Sequence, residues 1–212
     1  MLTLLVMTAL PDALRAQAAE TVGALWREQR AAGIWRANYF SSSKALDDES
    51  GFFGAALQLK AFPTVNERLD GKIEARLLNS AVGKGAPTRA SVLEAYATVR
   101  FLKADLRVGK QVVPWGRADG INPTDNLTPR DYTLLLPFED DQRFGTTGAK
   151  LDLFISPEHT LTLFASPAFE PAKVPLPHVA GRIHRREPAH TLANTHGGVR
   201  LNNVGEGLDW SL

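Results

Sequence analysis

The 212-residue chain contains no cysteine, and this absence excludes a disulfide framework, a thiolate metal site and a cysteine nucleophile. Lys and Arg number 24 and Asp and Glu number 23, so the net charge of +1 supplies no global basic field for a nucleic-acid partner. No segment has the ~20 consecutive apolar residues that a membrane-spanning helix needs. What remains is a folded chain long enough for one sizeable domain.

The N-terminus has the organisation of an export signal. Leu2–Leu10 is an apolar core, and the small residues Ala16 and Ala18 frame a cleavage site around Gln17. No basic residue precedes the core, so a buried N-terminal helix is the alternative. We expect residues 1–19 to be a cleaved signal peptide and residues 20–32 to be a lead-in segment.

Most of the remaining chain alternates with a period of two. Within Val92–Val113, the apolar residues Leu93, Ala95, Ala97, Val99 and Phe101 alternate with Glu94, Tyr96, Thr98 and Arg100. Because successive side chains of a strand point to opposite faces, one face of this segment is apolar and the other carries charged groups. The pattern is typical of an antiparallel sheet that lies between an apolar and an aqueous medium.

The same alternation predicts about nine strands. They fall near residues 33–39, 53–59, 72–77, 92–101, 105–113, 149–156, 160–165, 199–202 and 208–212. Short turns and the long irregular connections 114–147 and 167–194 join them, as in outer-membrane barrels. We therefore predict an all-β antiparallel meander over residues 33–212 that forms part of a transmembrane outer-membrane β-barrel.

A soluble β-sandwich would also alternate, and it is the alternative architecture. Its core would need large aliphatic side chains, whereas the apolar parity here is rich in alanine, as at Ala37, Ala55 and Ala95. A surface that faces lipid tails needs no side chains of complementary shape to pack against, so small residues are tolerated on it. Aromatic residues near strand ends, such as Trp35 and Tyr39, suit the girdles of a membrane barrel.

The polar parity carries charges of both signs, seven basic and four acidic. They are Arg36, Lys60, Lys72, Glu74, Arg76, Glu94, Arg100, Asp105, Arg107, Lys150 and Asp152. The basic excess is compatible with an anion-preferring path. The plainer interpretation is that these charges are paired, solvated side chains that line the wall of a lumen and keep it hydrated.

Residues 115–131 form a loop dense in Asp, Asn, Gly and Pro. Its residues suit turns in which side chains bond nearby backbone groups. They also suit a folded loop that enters or caps a lumen, where clustered charge sets ion selectivity. The predicted pore-lining and constriction residues are Arg76, Glu94, Arg100, Asp105, Arg107, Lys110, Gln111, Trp115, Arg117, Asp119, Asn122, Asp125, Arg130 and Asp131.

Four histidines recur at intervals of six residues, at His178, His184, His190 and His196. Zinc ligands usually have shorter spacings, and Pro188 interrupts the run, so we predict a solvated cationic loop and no metal site. The chain has no nucleophile-elbow, metalloprotease or phosphate-loop motif. We expect no enzyme activity and no cofactor.

The segment Leu106–Tyr132 resembles the centre of the DUF1302-type porin-like outer-membrane β-barrels of Gram-negative bacteria. That pattern is Arg-x-Gly-Arg-Gln on a strand, then Trp-Gly, an Asp and Ile-Asn-Pro-x-Asp. The matching residues are Arg107, Gly109, Gln111, Trp115, Gly116, Asp119, Ile121, Asn122, Pro123 and Asp125. Lys110 stands where the pattern has its second Arg. The resemblance implies an outer-membrane location and a possible channel, with no enzyme activity and no particular solute.

Members of that family are longer than this chain, and its last residues, GLDWSL, resemble a family strand that normally continues. We therefore expect an N-terminal fragment of a longer barrel; a true C-terminal strand ending in Leu212 is the alternative. The expected function is a porin-like channel for passive passage of small solutes, with outer-membrane lipid as partner. A non-channel barrel acting in envelope assembly or export, and a secreted all-β binding module, are the alternatives.

Overall fold

A computed structural model describes residues 20, 30–46, 49–80, 88–115, 125, 127–134, 142–167, 169–174, 188–189, 191–205 and 209–212. These ranges contain ten β-strands and one turn of 3-10 helix, Leu192–Asn194. The strands are β1 Ala31–Leu46, β2 Glu49–Ala61, β3 Thr64–Asn66, β4 Leu69–Ser80, β5 Arg89–Arg100, β6 Ala104–Gln111, β7 Thr146–Phe154, β8 His159–Ser166, β9 His196–Asn203 and β10 Trp210–Ser211. The predicted signal peptide, residues 1–19, lies outside the described residues.

The strands form one antiparallel sheet in the order β1-β2-β4-β5-β6-β7-β8-β9-β10, which confirms the predicted all-β meander. The tenth strand is β3, which pairs only with β4 and lies where a plain connection is predicted. Among the described residues β1 pairs only with β2 and β10 only with β9, so the sheet is not closed.

Connections of different length leave the two ends of the sheet. At one end, β5–β6 and β7–β8 are joined by tight turns; Ser156 Oγ accepts bonds from the backbone N–H of Glu158 (3.3 Å) and His159 (3.1 Å) in the second turn. At the other end the chain leaves β6 and β8 in the two long connections, 112–145 and 167–195. We call this the long-connection end.

Side chains divide between two faces of the sheet. The apolar face, which includes Trp35, Leu57, Ile73, Val108 and Val199, is exposed. On the charged face, the buried polar residues are Gln58, Glu74, Arg76, Glu94, Thr98, Gln111, Thr146, Thr162 and Ser166. The burial expected of a soluble protein, apolar side chains inside and polar ones outside, is therefore inverted.

The predicted position of Leu93 on the exposed apolar face is wrong. Glu74 pairs with Glu94 and Ala75 pairs with Val92, so Leu93 is an extra residue in β5. A β-bulge of this kind interrupts the strict alternation of side chains. Leu93 is only 5% exposed and does not join the exposed apolar residues that its parity predicts. It belongs to a small set of buried apolar residues with Ala56, Val113, Leu134 and Phe164.

Candidate functional site

A ladder of ion pairs crosses β2, β4 and β5 on the charged face. The register sets Lys60 opposite Glu74 and Glu74 opposite Glu94. Glu74 accepts from Lys60 Nζ (3.3 Å) and Lys72 Nζ (2.7 Å), and from the side-chain amide of Gln58. Lys72 also pairs with Glu94. Every carboxylate in the ladder therefore has a cation, which is how buried charge is tolerated.

Pairing continues toward the end with the tight turns. Arg100 pairs with Asp70, and its Nε lies 4.0 Å from Asp105 Oδ2. Lys150 Nζ lies 2.7 Å from Asp152 Oδ2 on β7. These contacts fit the plainer interpretation of the wall charges, in which opposite charges neutralise one another along the sheet.

The β6 residues of the predicted motif have distinct structural roles. The Arg107 guanidinium lies over the Tyr96 ring, 4.4 Å from its centroid. Gly109 has a φ of 131°, and a Cβ there would lie 2.4 Å from Ala95 O, so the position requires glycine. Gln111 is fully buried, and its Nε2 donates to Gly148 O at 3.0 Å.

Lys110 differs from its motif neighbours. By register it lies opposite Ala95 and Thr147, on the parity opposite to Arg107 and Gln111. Its Nζ lies 3.4 Å from Glu170 Oε2 and 5.7 Å from the centroid of the Phe144 ring. The residue therefore contacts the long connections rather than the ion-pair ladder.

The first long connection is tied to the end of β6. The Val112 N–H donates to Glu94 Oε1 (2.9 Å), and the Val113 N–H donates to Thr128 Oγ1 (3.1 Å). The Thr128 hydroxyl in turn donates to Val113 O at 2.8 Å. Val113 and Thr128 are both buried, so this part of the connection is shielded from solvent.

Asp125 organises the same connection. Its carboxylate is fully buried and accepts a bond from the Trp115 N–H at 3.3 Å. The nearest side-chain nitrogens of Arg143 and Arg130 lie 3.3 Å and 3.7 Å from Asp125 Oδ2. Two arginine side chains therefore lie around one buried carboxylate.

Trp115 anchors the connection to β9. Arg200 Nη1 donates to Trp115 O at 2.7 Å, and the Arg200 guanidinium lies 5.0 Å from the centre of the indole. A Cβ on Gly198 would come within 2.6 Å of the indole ring, so the absent side chain makes room for it. The sequence reasoning overlooked Gly198 and Arg200; the paired glycines directly before the predicted strand 199–202 are the signal that would have found them.

The two long connections also pair with each other. The Tyr132 N–H donates to Lys173 O (2.8 Å), and the Lys173 N–H donates to Arg130 O (2.9 Å). Lys173 Nζ lies 3.1 Å from Asp131 Oδ2, and the Thr133 N–H also donates to Asp131. Segments 127–134 and 169–174 are thus held together by backbone and ion-pair contacts.

The predicted site residues fall into three groups. Arg76, Glu94, Arg100, Asp105, Arg107 and Gln111 share the charged face of the sheet, and Lys110 lies on the opposite parity. Trp115, Asp125, Arg130 and Asp131 meet in the long connections. Arg117, Asp119 and Asn122 lie outside the described residues.

The histidine run is described only at His196, which lies edge-on to the Phe164 and Phe169 rings at 6.4 Å and 5.9 Å; His178, His184 and His190 lie outside the described residues. Within the described ranges, no three His, Cys, Asp or Glu side chains are grouped as metal ligands.

No helix in the described ranges is both long and apolar enough to cross a membrane. No family model matches the chain, and no curated protein is significantly similar to it.

Proposed function

We propose that the protein is a porin-like outer-membrane β-barrel through which small solutes pass passively along a polar, charge-lined lumen. The observation that carries the proposal is the inverted polarity of the sheet, with large apolar side chains exposed on one face and paired charges buried on the other. Lipid outside and confined water inside would account for both faces together.

The apolar face supports a membrane environment through its energetic cost in water. Trp35, Val108 and Val199 are more than half exposed, and they belong to an apolar surface that spans the sheet from β1 to β9. Exposed apolar area costs about 25 cal/mol per Å² in water, and contiguous patches of this kind mark membrane or partner surfaces. A secreted binding module would have to carry this cost; a barrel in lipid would not.

The charged face supports a polar lumen. Its carboxylates and cations are paired with one another. Such pairing would keep the wall of a lumen hydrated without repulsion between like charges. The buried cluster of Asp125 with Arg130 and Arg143 lies in the connection that would narrow such a lumen. Clustered charge at a constriction is how pores select ions. The resemblance of Leu106–Tyr132 to DUF1302-type barrels is part of the proposal.

Fractionation tests the barrel directly. In a Gram-negative host, we expect the protein to sediment with outer membranes and to require detergent for extraction. It should also migrate faster on gels before boiling than after, because a closed barrel resists unfolding by detergent. Recovery from the periplasmic fraction without detergent would reject the proposal.

Planar bilayers test the channel. We expect stepwise conductance, and we expect Arg107→Glu to shift the reversal potential in a salt gradient toward cation preference, since Arg107 lies on the charged face. Lys103→Glu, in the turn between β5 and β6, makes the same charge change outside that face and should shift it less. Equal shifts in the two variants would remove Arg107 from the path.

A non-channel barrel acting in envelope assembly or export is the second candidate. It is favoured by the depth to which the first long connection is buried, since Val113, Thr128 and Leu134 are each less than a tenth exposed. A connection packed so closely could close the lumen. Bilayers that stay sealed at all voltages, with outer-membrane fractionation intact, would favour this candidate over the channel.

A further inference from the structure

The described residues enclose a cleft of about 290 Å³ at the long-connection end of the sheet. Residues of β4, β5 and β6 line it on one side, and residues of the long connections line it on the other. Its volume lies near the lower end of the range for small-molecule sites, about 300 Å³, which suits a molecule built around a single ring.

Among the described residues that line the cleft, basic side chains outnumber acidic ones. Four of its charged residues are basic and two are acidic: Arg76, Arg89, Lys110, Lys173, Asp131 and Glu170. The described lining therefore offers a ligand more basic than acidic side chains, which favours an anion.

Apolar groups stand directly beside these cations. Lys110 Nζ lies 5.7 Å and Lys173 Nζ lies 5.0 Å from the centroid of the Phe144 ring, and both residues line the same cleft. Leu93 and Leu134, which are also part of the lining, are 5% and 8% exposed. A ligand that fits this combination has both a negative head and an apolar body.

We propose that the cleft binds a small organic anion that has a carboxylate head and a ring-sized apolar body. The carboxylate contacts the ammonium groups of Lys110 and Lys173, and the body contacts Phe144, Leu93 and Leu134. Each ammonium has three donors, and Glu170 and Asp131 accept one apiece at 3.4 Å and 3.1 Å, which leaves donors for a ligand. The further role of this cleft, as the site that recognises a permeating solute, rests on the proposed channel function.

Binding is measured separately from conductance so that the two proposals fail in different ways. Equilibrium dialysis of the detergent-purified protein with labelled benzoate measures binding. Benzyl alcohol supplies the same ring without the charge, and acetate supplies the charge without the ring. We expect benzoate to bind at least about tenfold more tightly than benzyl alcohol, the ratio that corresponds to one charge-assisted hydrogen bond. It should also bind more tightly than acetate, because acetate has no ring to bury against Phe144, Leu93 and Leu134.

Lys110→Gln and Lys173→Gln should each weaken benzoate binding by about tenfold, and Lys110→Arg should retain most of it. Lys103→Gln is the matched control, because Lys103 is exposed in the turn at the opposite end of the sheet. Heat-modifiable gel mobility checks that each variant is folded. Lys173 has a side chain 61% exposed, so its variant carries the test if Lys110→Gln does not fold.

Equal binding of benzoate and benzyl alcohol, or wild-type affinity in a folded lysine variant, would overturn the inference. Conductance without any benzoate binding would also overturn it while leaving the channel intact. Benzoate binding that depends on the lysines in a protein whose bilayers stay sealed would support the site and reject the channel.

Discussion

The two faces of the sheet differ in which side chains they hide. On the apolar face Trp35 and Tyr39 are 69% and 70% exposed, whereas on the charged face Glu74 and Glu94 are 5% and 6% exposed. A soluble domain has the reverse arrangement, because burial of apolar surface is what drives it to fold. Burial in this sheet therefore follows the pairing of charges rather than hydrophobicity, and lipid outside with water inside would produce that result.

A charge placed on the apolar face should cost the most stability. Val108 lies in the middle of β6 between Ala97 and Ala149, so Val108→Arg sets a charge among apolar neighbours. In a bilayer we expect a loss of about 2–4 kcal/mol in the free energy of unfolding, as for arginine near the bilayer midplane of other barrels. Urea unfolding of the protein in lipid vesicles measures it.

Val65→Arg is the matched control for this effect. Val65 is exposed in β3, beside the connection from β2 to β4, where a membrane barrel meets the interface and arginine costs only about 0–1 kcal/mol. Costs within about 0.5 kcal/mol of zero for both variants would mean that Val108 faces water.

Removing one carboxylate from the ion-pair ladder should cost less stability than a charge on the apolar face. Glu74→Gln removes the ladder carboxylate that Lys60 contacts and leaves Lys72 with Glu94. We expect a loss of about 2 kcal/mol, less than for a fully buried pair because the Lys60 side chain is 32% exposed. Glu67→Gln, in the exposed turn after β3, should change the same unfolding midpoint little. Matching losses at the two positions would show that the ladder adds no stability.

Filling the space between β9 and the Trp115 indole should cost less stability than either change in the sheet. In Gly198→Ala the added Cβ would meet the Trp115 indole at 2.6 Å, so the connection must shift, at a cost of about 1–2 kcal/mol. In Gly205→Ala the nearest atom is Glu158 Cγ at 3.2 Å, on a side chain that can move. Thermal unfolding should separate the two variants. A cost at Gly205 equal to that at Gly198 would argue against the Trp115 anchor.

The sequence predicted the features that depend on the period of a strand. Alternation identified nine of the ten described strands, their antiparallel order and the polarity of the two faces, because each side chain's face follows from its position. It missed the short strand β3. The ion pairs of Lys60 with Glu74 and Lys150 with Asp152 were foreseeable only as paired charges on one wall.

Features that depend on register or on distant segments could not be predicted in this way. The bulge that buries Leu93 depends on how β5 pairs with β4, so the sequence of β5 alone does not indicate it. The contact between Trp115 and Gly198 joins residues far apart in the chain. The encirclement of Asp125 by Arg130 and Arg143 likewise requires a folded connection, and composition predicts only turns there.

Nitroxide labels along β5 report which medium, lipid or water, each face of the sheet contacts. The chain has no cysteine, so single cysteines at positions 95–100 can each be labelled uniquely in the bilayer-reconstituted protein. We predict that labels at Ala95, Ala97 and Val99 collide mainly with oxygen, which concentrates in lipid, and that labels at the intervening positions collide mainly with a water-soluble nickel chelate. Equal access of the chelate to all six labels, or the reverse alternation, would contradict the account.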